Sequence, residues 1–540
     1  MKQLRNLAVI LMIITLMFNT TACSNASESK TSSNSSSKGN SSSSSDAGNT
    51  SDTGSSSLSS ESGPTVSAEG GTVRIALGSE PDDFDPMLSA ASDTSAVMMN
   101  VFEGLLGFNL EGEFVPAIAE SHTVSGDGLT YTFKIKEGIM FHDGKACTAR
   151  DVKYTYDKLA GLSGGEALSS TISSVLEKVE TPDDYTAVLT LNQKDAGFLT
   201  KATVAICEDG YEGNSTMPVG TGPYKFVSYE PGQEIVLGKN ENYTTRGDRM
   251  PSIDRAEFVI MTDENAKLMA LKSGTLDIAS ISSSNISTLG DDFYTVEGPQ
   301  NMVQVFALNN KIEPLNNLKV RQAICYAIDK DEIINAVVDG NGTRVDSFLS
   351  PSMAIFYNDS MTVYNLDLDK AKELLKEAGY ENGFDLTVTV PSNYQMHVDT
   401  AQVIKDQLSK IGINLEINLV EWADWLQNVY TDFNYETTII GHTGKLDPQD
   451  FLNRFESSYG KNYFQFSNAD YDKLIAGAAT TTDTTERVNY YKKSQQMLVD
   501  EAASVFIQDP SVIYAVSAKV QGLKIYPVSF YDLSDLTVSQ

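Results

Sequence analysis

Apolar and polar positions divide the chain into a short apolar segment, a polar stretch and a long mixed body. Residues 7–18 are apolar except for Thr15, and Lys2 and Arg5 give the preceding residues a positive charge. A bilayer core of ~30 Å takes about 20 apolar residues to span, so this segment is too short for a permanent anchor. Residues 1–22 are therefore predicted to be a cleaved export signal.

The next stretch has the composition of a flexible tether. Serine fills 21 of the 47 positions of residues 24–70, and Leu58 and Val66 are their only large aliphatic residues. Such a segment cannot bury enough apolar surface to offset the entropy that ordering would cost. We expect residues 23–70 to hold a folded body near a membrane while letting it rotate and reach.

The body begins with patterns typical of short strands separated by turns. Residues 72–77 form a β-type run, and residues 129–136 alternate with period two after a Gly-Asp-Gly turn. Residues 91–104 have helical spacing that ends at a glycine. Further on, Thr148 can cap a helix, with Asp151 three residues later completing a near capping box.

The second half of the body alternates between helices and strands. Helices are predicted at 317–336, 369–378 and 400–411, and strands at 385–390 and 413–420. This alternation suits βαβ units and therefore an α/β fold.

Composition narrows the classes of partner. At ~100–200 residues per domain, 540 residues allow roughly three domains. With 40 basic and 72 acidic residues the net charge is −32, so phosphate backbones would repel the chain and no nucleic acid is expected as a partner. Anionic lipid headgroups would also repel it. Cys147, Cys207 and Cys325 allow at most one bridge within the body, and each is interpreted as a small buried hydrophobe.

Short motifs occur in a fixed order along the body. They are Asn100-Val-Phe-Glu-Gly-Leu-Leu106, Phe114-Val-Pro-Ala-Ile-Ala-Glu120, Asp127 to Gly138, Phe141-His-Asp-Gly144, Thr148-Ala-Arg-Asp-Val152, Gly220-Thr-Gly-Pro-Tyr224, Asn240-Glu-Asn-Tyr243, Ser273-Gly-Thr-Leu-Asp277, Val320-Arg-Gln-Ala323, Ala327-Ile-Asp329 and Leu374-Leu-Lys-Glu-Ala-Gly379. Each motif is weak alone. Together, over about residues 72 to 535, they resemble family 5 of the bacterial extracellular solute-binding proteins, the oligopeptide, dipeptide and nickel-type receptors of ABC importers.

The resemblance implies an α/β fold of the periplasmic-binding-protein-like type II class, with two lobes, a hinge and an extra domain inserted in the first lobe. Lobe I would hold residues 71–115, 213–304 and 506–540, the inserted domain residues 116–212, and lobe II residues 305–505. Hinge closure would trap a small solute, a short peptide being the first expectation, for delivery to the permease and ATPase subunits of an importer. An oligosaccharide, an anionic solute or a metal chelate is the alternative ligand, and no cofactor is implied.

The end of the signal suggests how the protein is held at the membrane. Thr20-Thr-Ala-Cys23 resembles a bacterial lipobox, which implies that Cys23 carries a lipid and anchors the protein on the extracellular face of the membrane. Thr20 departs from the pattern, which usually has Leu there. The alternative is an ordinary secretory signal followed by a chance cysteine. The serine-rich tether and the scarcity of cysteine are typical of a Gram-positive surface protein.

Ligand contacts in such a fold come from loops at the ends of strands that face the cleft. Ser79 and Glu80 follow the first strand, where they could offer polar groups to an extended ligand or form a plain turn. Tyr394 and His397 lie between a strand and a helix, on a connection that suits stacking and hydrogen bonding or is an ordinary exposed loop.

Two later segments complete the candidate site. Trp422 follows a strand and matches a ligand-contacting tryptophan of peptide-binding relatives, whereas Trp425 is predicted to be core. The segment from Ile439 to Pro448 resembles the one in which peptide-binding members carry an aspartate that pairs with the α-ammonium of the ligand. The candidate contacts in it are His442, Thr443, Gly444, Lys445 and Asp447.

Lys445 departs from the family pattern. In an ungapped reading it stands where the aspartate is expected, and an ammonium cannot counter another ammonium. Asp447 or Glu80 could replace the aspartate, or the ligand presents an anionic or neutral group here. The alternative is that the alignment is shifted and Lys445 lies in solvent.

Other functions find little support. The histidines are His122, His142, His397 and His442, none at metal-ligand spacing, although His397 and His442 could contact a metal chelate. The one Gly-x-Ser-x-Gly match starts at Gly161 after a helical pattern, whereas a hydrolase nucleophile elbow follows a strand. An adhesion protein would be expected to have repeats, and the sequence contains none. We therefore expect a binding protein and not an enzyme.

Overall fold

The computed structural model describes residues 70–89, 91–481 and 483–539. The predicted export signal, Cys23 and residues 24–69 of the predicted tether lie outside the described residues. Within the described ranges, none of the helices combines the length and apolar character that crossing a membrane requires.

The described chain is a mixture of strands and α-helices. The strands are β1 (Thr72–Leu77), β2 (Leu106–Phe108), β3 (Phe114–Pro116), β4 (Ala119–Val124), β5 (Thr130–Ile135), β6 (Leu176–Asp183), β7 (Thr186–Leu191), β8 (Tyr224–Glu230), β9 (Glu234–Lys239), β10 (Arg255–Ile260), β11 (Ile278–Ser280), β12 (Phe293–Pro299), β13 (Met302–Leu308), β14 (Gly342–Arg344), β15 (Phe384–Pro391), β16 (Ile413–Val420), β17 (Thr437–Thr443), β18 (Val505–Ser517), β19 (Val520–Gln521) and β20 (Thr537–Val538). The α-helices are α1 (Ser92–Met98), α2 (Ala149–Ala160), α3 (Ser170–Ser173), α4 (Phe198–Lys201), α5 (Glu264–Ser273), α6 (Leu318–Ala327), α7 (Lys330–Val338), α8 (Leu368–Glu377), α9 (Gln395–Ser409), α10 (Trp422–Trp425), α11 (Gln449–Leu452), α12 (Ala469–Thr480) and α13 (Thr484–Asp500).

One mixed sheet of 12 strands organises the molecule. Its order is β16-β15-β17-β13-β18-β11-β1-β10-β9-β8, with β12 and β14 also paired to β18. β15 is parallel to both β16 and β17, and β1 is parallel to β10 and β11. Parallel neighbours need a crossover connection, and α9 provides it between β15 and β16. A separate sheet of four strands, β4-β5-β7-β6, lies outside this one.

Two stretches of chain, β18 and the segment from β12 to β13, connect the part of the large sheet that contains β15, β16 and β17 with the part that contains β1 and β8 to β11. β18 is 13 residues long and pairs with β13 near its start and with β12 along its second half. β12 and β13 are separated by Gln300 and Asn301, and Asn301 has a φ of +52°. We refer to β12, β13 and β18 as the crossing strands.

The apolar core is built on both faces of the sheet. Val303 and Val305 of β13 belong to one cluster, whereas Phe306 and Leu308 belong to another that includes side chains of α6, α8 and α9. This division follows from the period of two along a strand. Further clusters pack α1 against β1 and α2 against the four-stranded sheet.

Several predictions of local structure are confirmed. β1 and β16 have the predicted bounds. Thr148 and Asp151 form a capping box at the start of α2: the Arg150 N–H donates to Thr148 Oγ1 at 3.3 Å and the Thr148 N–H to Asp151 Oδ2 at 2.7 Å. Cys147, Cys207 and Cys325 are free and buried, and burial raises the pKa of the Cys325 thiol to about 12.

Three predicted boundaries are wrong. The predicted helix 317–336 is two helices, because Asp329 caps α7 by accepting from the Glu332 N–H at 3.1 Å and so ends α6. The predicted helix 91–104 ends at Met98. The predicted helix 400–411 starts earlier, at Gln395, so His397 lies in the first turn of α9 instead of in a loop.

Candidate functional site

Two cavities meet at the end of β17. The first has a volume of about 560 Å³ and the second about 710 Å³, and Thr443 contributes to the wall of both. β15, β16 and β17 run in the same direction, so their carboxyl ends lie at one edge of the sheet. The segments that follow these strands therefore meet there, which is where open α/β sheets bind ligands.

Aromatic rings form much of the wall of the first cavity, which we name the aromatic cavity. Trp422 and Trp425 stack with centroids 5.2 Å apart and planes 7° from parallel, and Trp425 stacks in turn on Tyr430 at 5.9 Å. Tyr394 meets Trp422 edge-on at 5.5 Å. These four rings form a continuous aromatic surface on the wall of the aromatic cavity.

The two tryptophans differ in exposure. Trp425 is 2% exposed and donates from Nε1 to Thr438 Oγ1 at 2.8 Å, so its prediction as a core residue is confirmed. Trp422 is 36% exposed and Tyr394 40% exposed. The outer rings are therefore available to a ligand and the inner ring supports them.

Two histidines line the aromatic cavity, His397 from the first turn of α9 and His442 from the end of β17. His397 is buried, and its Nδ1 lies 3.0 Å from Gln304 Nε2. His442 lies with its Nε2 2.8 Å from the hydroxyl oxygen of Tyr463. Burial lowers the pKa of His397 to about 4 and lowers the pKa of His442 well below its usual range. Both imidazoles are therefore neutral near pH 7.

The second cavity contains charged side chains, and we name it the charged cavity. Asp93, Lys445, Asp450 and Lys524 line it together with tyrosines of the C-terminal segment. Burial raises the pKa of Asp450, the charge of Asp447 adds to that rise, and the Lys445 ammonium opposes it. The cavity can therefore offer both a carboxylate and an ammonium to a ligand.

The structure brings some of the predicted residues together in the two cavities and leaves others outside. Those on a cavity wall are Tyr394, His397, Trp422, His442, Thr443, Gly444 and Lys445. Ser79 lies beside the charged cavity, because its hydroxyl donates to Asp93 at 2.8 Å.

Asp447 and Glu80 already have partners in the protein. Arg487 Nη2 donates to both carboxylate oxygens of Asp447, at 2.9 and 2.8 Å, and Asp447 is 5% exposed. Glu80 accepts from the Tyr229 hydroxyl and, at 3.0 Å, from the Gly232 N–H. Neither is among the described residues that line the two cavities.

Sequence reasoning missed Asp450 and Asn301. Asp450 lies just after the predicted segment, which ends at Pro448, and it is in the first turn of α11. Its closeness to that segment is the sequence feature that could have identified it. Asn301 donates from Nδ2 to the carbonyl oxygens of Lys445 at 2.7 Å and Pro527 at 3.0 Å. It thereby ties the wall of the charged cavity to the crossing strands.

Two observations bear on the predictions about metal and nucleophilic chemistry. Among the described residues, no group of three or more His, Cys, Asp or Glu side chains is placed to hold a metal ion. Gly161, the first residue of the Gly-x-Ser-x-Gly match, ends α2 in a left-handed conformation, with a φ of +75°, so the match follows a helix as predicted. The arrangement suits recognition of a ligand by stacking, hydrogen bonding and charge.

Sequence comparison relates most of the body to known proteins. The family model for bacterial extracellular solute-binding proteins, family 5 Middle, matches residues 113–463. Heme-binding protein A of Haemophilus influenzae is 30% identical over 505 residues, which cover 84% of this chain and 90% of that protein. The dipeptide-binding protein of Escherichia coli is 28% identical over 501 residues, which cover 85% of this chain and 93% of that protein.

Structural comparison agrees with the sequence comparison. The periplasmic binding protein DppA from Helicobacter pylori, solved in complex with the peptide STSA, has a TM-score of 0.74 and 26% identity. The match covers 88% of this chain and 99% of that one. The predicted type II fold is confirmed by this match.

Proposed function

Because the chain belongs to the bacterial extracellular solute-binding proteins of family 5, we propose that it is the receptor of an ABC importer and captures a short peptide. The observation that carries the proposal is the pair of cavities that meet at Thr443, one lined by rings and one by charges. A peptide presents both kinds of group, since it has side chains, charged termini and backbone hydrogen-bonding groups.

Capture would proceed by closure of two lobes about the crossing strands. In this proposal lobe I comprises residues 71–115, 213–304 and 506–540, with residues 116–212 inserted, and lobe II comprises residues 305–505. Closure of such a hinge excludes water from the ligand and presents a distinct surface to the permease. Asn301 lies between β12 and β13, and its contacts with Lys445 and Pro527 support a hinge at this position.

The protein would be attached to the extracellular face of the membrane, most simply in a Gram-positive cell, through a lipid on Cys23. Exposed acidic surface cannot supply that attachment, because a net charge of −32 opposes binding to anionic lipids. Replacing Cys23 by alanine should release the protein into the medium. Retention of the Cys23→Ala variant on the cells would contradict the lipid anchor.

Mass spectrometry of whatever co-purifies with the full-length protein tests the ligand class. Peptides of a few residues, released on denaturation and bound again by the emptied protein, are the expected result. An oligosaccharide, another anionic solute or a metal chelate recovered in their place would overturn the peptide assignment and leave the receptor role intact.

A further inference from the structure

The aromatic cavity has an uncharged wall in a strongly acidic protein. Of the described residues that line it, none is Asp, Glu, Lys or Arg. The charged cavity next to it contains Asp93, Lys445, Asp450 and Lys524. Among the described lining residues, charged side chains therefore occur in one cavity and not in the adjoining one. This separation is notable in a chain with 72 acidic and 40 basic residues.

Two polar side chains of the aromatic cavity, His397 and His442, are hydrogen-bonded within the protein. His397 is paired with Gln304, and His442 with Tyr463, so each ring already has a hydrogen-bond partner. Burial keeps both imidazoles uncharged near neutral pH. A charged ligand group entering here would lose its hydration and meet no opposite charge on the described wall, which is unfavourable.

Several apolar side chains on the wall of the aromatic cavity remain partly exposed. Trp422 and Leu426 are each 36% exposed and Tyr394 is 40% exposed. Met302 and Met396 also line the cavity, and methionine adapts its shape to irregular apolar groups. A large apolar or aromatic ligand group would cover this surface, with stacking available on Trp422.

From these observations we infer that the aromatic cavity is a side-chain subsite that selects peptides carrying an uncharged aromatic or large apolar residue and rejects charged ones. The inference rests on the proposed peptide function and names the class of peptide. The two cavities join at Thr443. A peptide whose side chain enters the aromatic cavity would therefore place its backbone and charged groups in the charged cavity.

Tripeptides test this selectivity. Isothermal titration of the full-length protein would use Phe, Ala, Lys or Glu at each position in turn of an otherwise all-alanine tripeptide. At one position, the Phe peptide should bind about tenfold to hundredfold more tightly than the Ala peptide, because a large apolar side chain leaves water. The Lys and Glu peptides should bind more weakly than the Ala peptide at that position.

The outcomes separate the two proposals. Equal affinities for all four residues at every position would overturn the subsite and leave the peptide function standing. A panel that does not bind at all would overturn both.

A pair of leucine substitutions locates the effect in the cavity. Leu426 lines the aromatic cavity, whereas Leu419 is 51% exposed on β16 and is not among the described residues that line it. Leu426→Glu should abolish the preference for Phe and improve binding of the Lys peptide about tenfold. Leu419→Glu introduces the same charge at a more exposed position and should leave both affinities unchanged. Indistinguishable effects of the two variants would refute the assignment of the subsite to this cavity.

Discussion

At the scale of single residues, Lys445 contributes an ammonium to the wall of the charged cavity, and we expect it to influence which ligand charge is preferred. Its side chain is exposed, so Lys445→Glu should fold normally and change ligand preference. We expect affinity for peptides with an extra carboxylate to fall about tenfold relative to peptides with an extra ammonium. Titration with both kinds of peptide measures this ratio. Lys493→Glu, an exposed change outside both cavities, is the control. An unchanged ratio in Lys445→Glu would remove Lys445 from the site.

His397 makes stability depend on pH. Its pKa is about 4 in the folded protein, because burial disfavours the charged ring, against 6.5 for an exposed histidine. The unfolded state therefore takes up the proton first, and the stability associated with the neutral ring is lost as pH falls from about 6.5 to 4, by up to about 3 kcal/mol. Urea unfolding at several pH values should give a shallower pH dependence for His397→Gln than for the natural chain. Parallel curves would contradict this account. His142, whose pKa burial also lowers to about 4, is present in both proteins and cancels.

At the scale of elements, Asp509 fastens the crossing strands to each other. One carboxylate oxygen accepts from the N–H groups of Gln300 and Met302, each at 3.1 Å, and the other accepts from the hydroxyls of Ser350 and Ser352. An amide cannot accept at both ends, so Asp509→Asn leaves donors unpaired and should lower the free energy of unfolding by about 1–3 kcal/mol. Denaturant unfolding measures this loss.

The same substitution on an exposed strand is the matched control. Asp385 is exposed on β15 and accepts from Asn414 Nδ2 at 3.0 Å. Asp385→Asn should change the free energy of unfolding by less than about 0.5 kcal/mol. Equal losses in the two variants would mean that Asp509 has no special role between the strands.

At the scale of the whole molecule, binding and closure should appear together. A ligand at 100 times its Kd should add about 2.7 kcal/mol to the free energy of unfolding, because it binds the folded state alone. Small-angle scattering of the same samples should record a smaller radius of gyration with ligand. Stabilisation without compaction would argue against closure about the crossing strands. A peptide that does not bind in the cavities is the control and should produce neither effect.

A structural feature could be predicted from the sequence when residues close together in the chain determine it. The capping box of α2 and the bounds of β1 and β16 are set by neighbouring residues, and the sequence pattern predicted them correctly. The break between α6 and α7 was also encoded locally, by the capping side chain of Asp329, but a continuous helical pattern concealed it.

By itself the sequence determined the α/β class, the family and the strand-end segments that supply the candidate site, because periodicity, caps and motif order are properties of short stretches. The tertiary structure alone decided how those segments are used. It withdrew Asp447 into an ion pair with Arg487, which is 40 residues away in the chain, and it placed Asp450 in the charged cavity. It also neutralised His397 and His442 through burial. Partners and solvent exposure of this kind depend on contacts between distant segments, which no local pattern records.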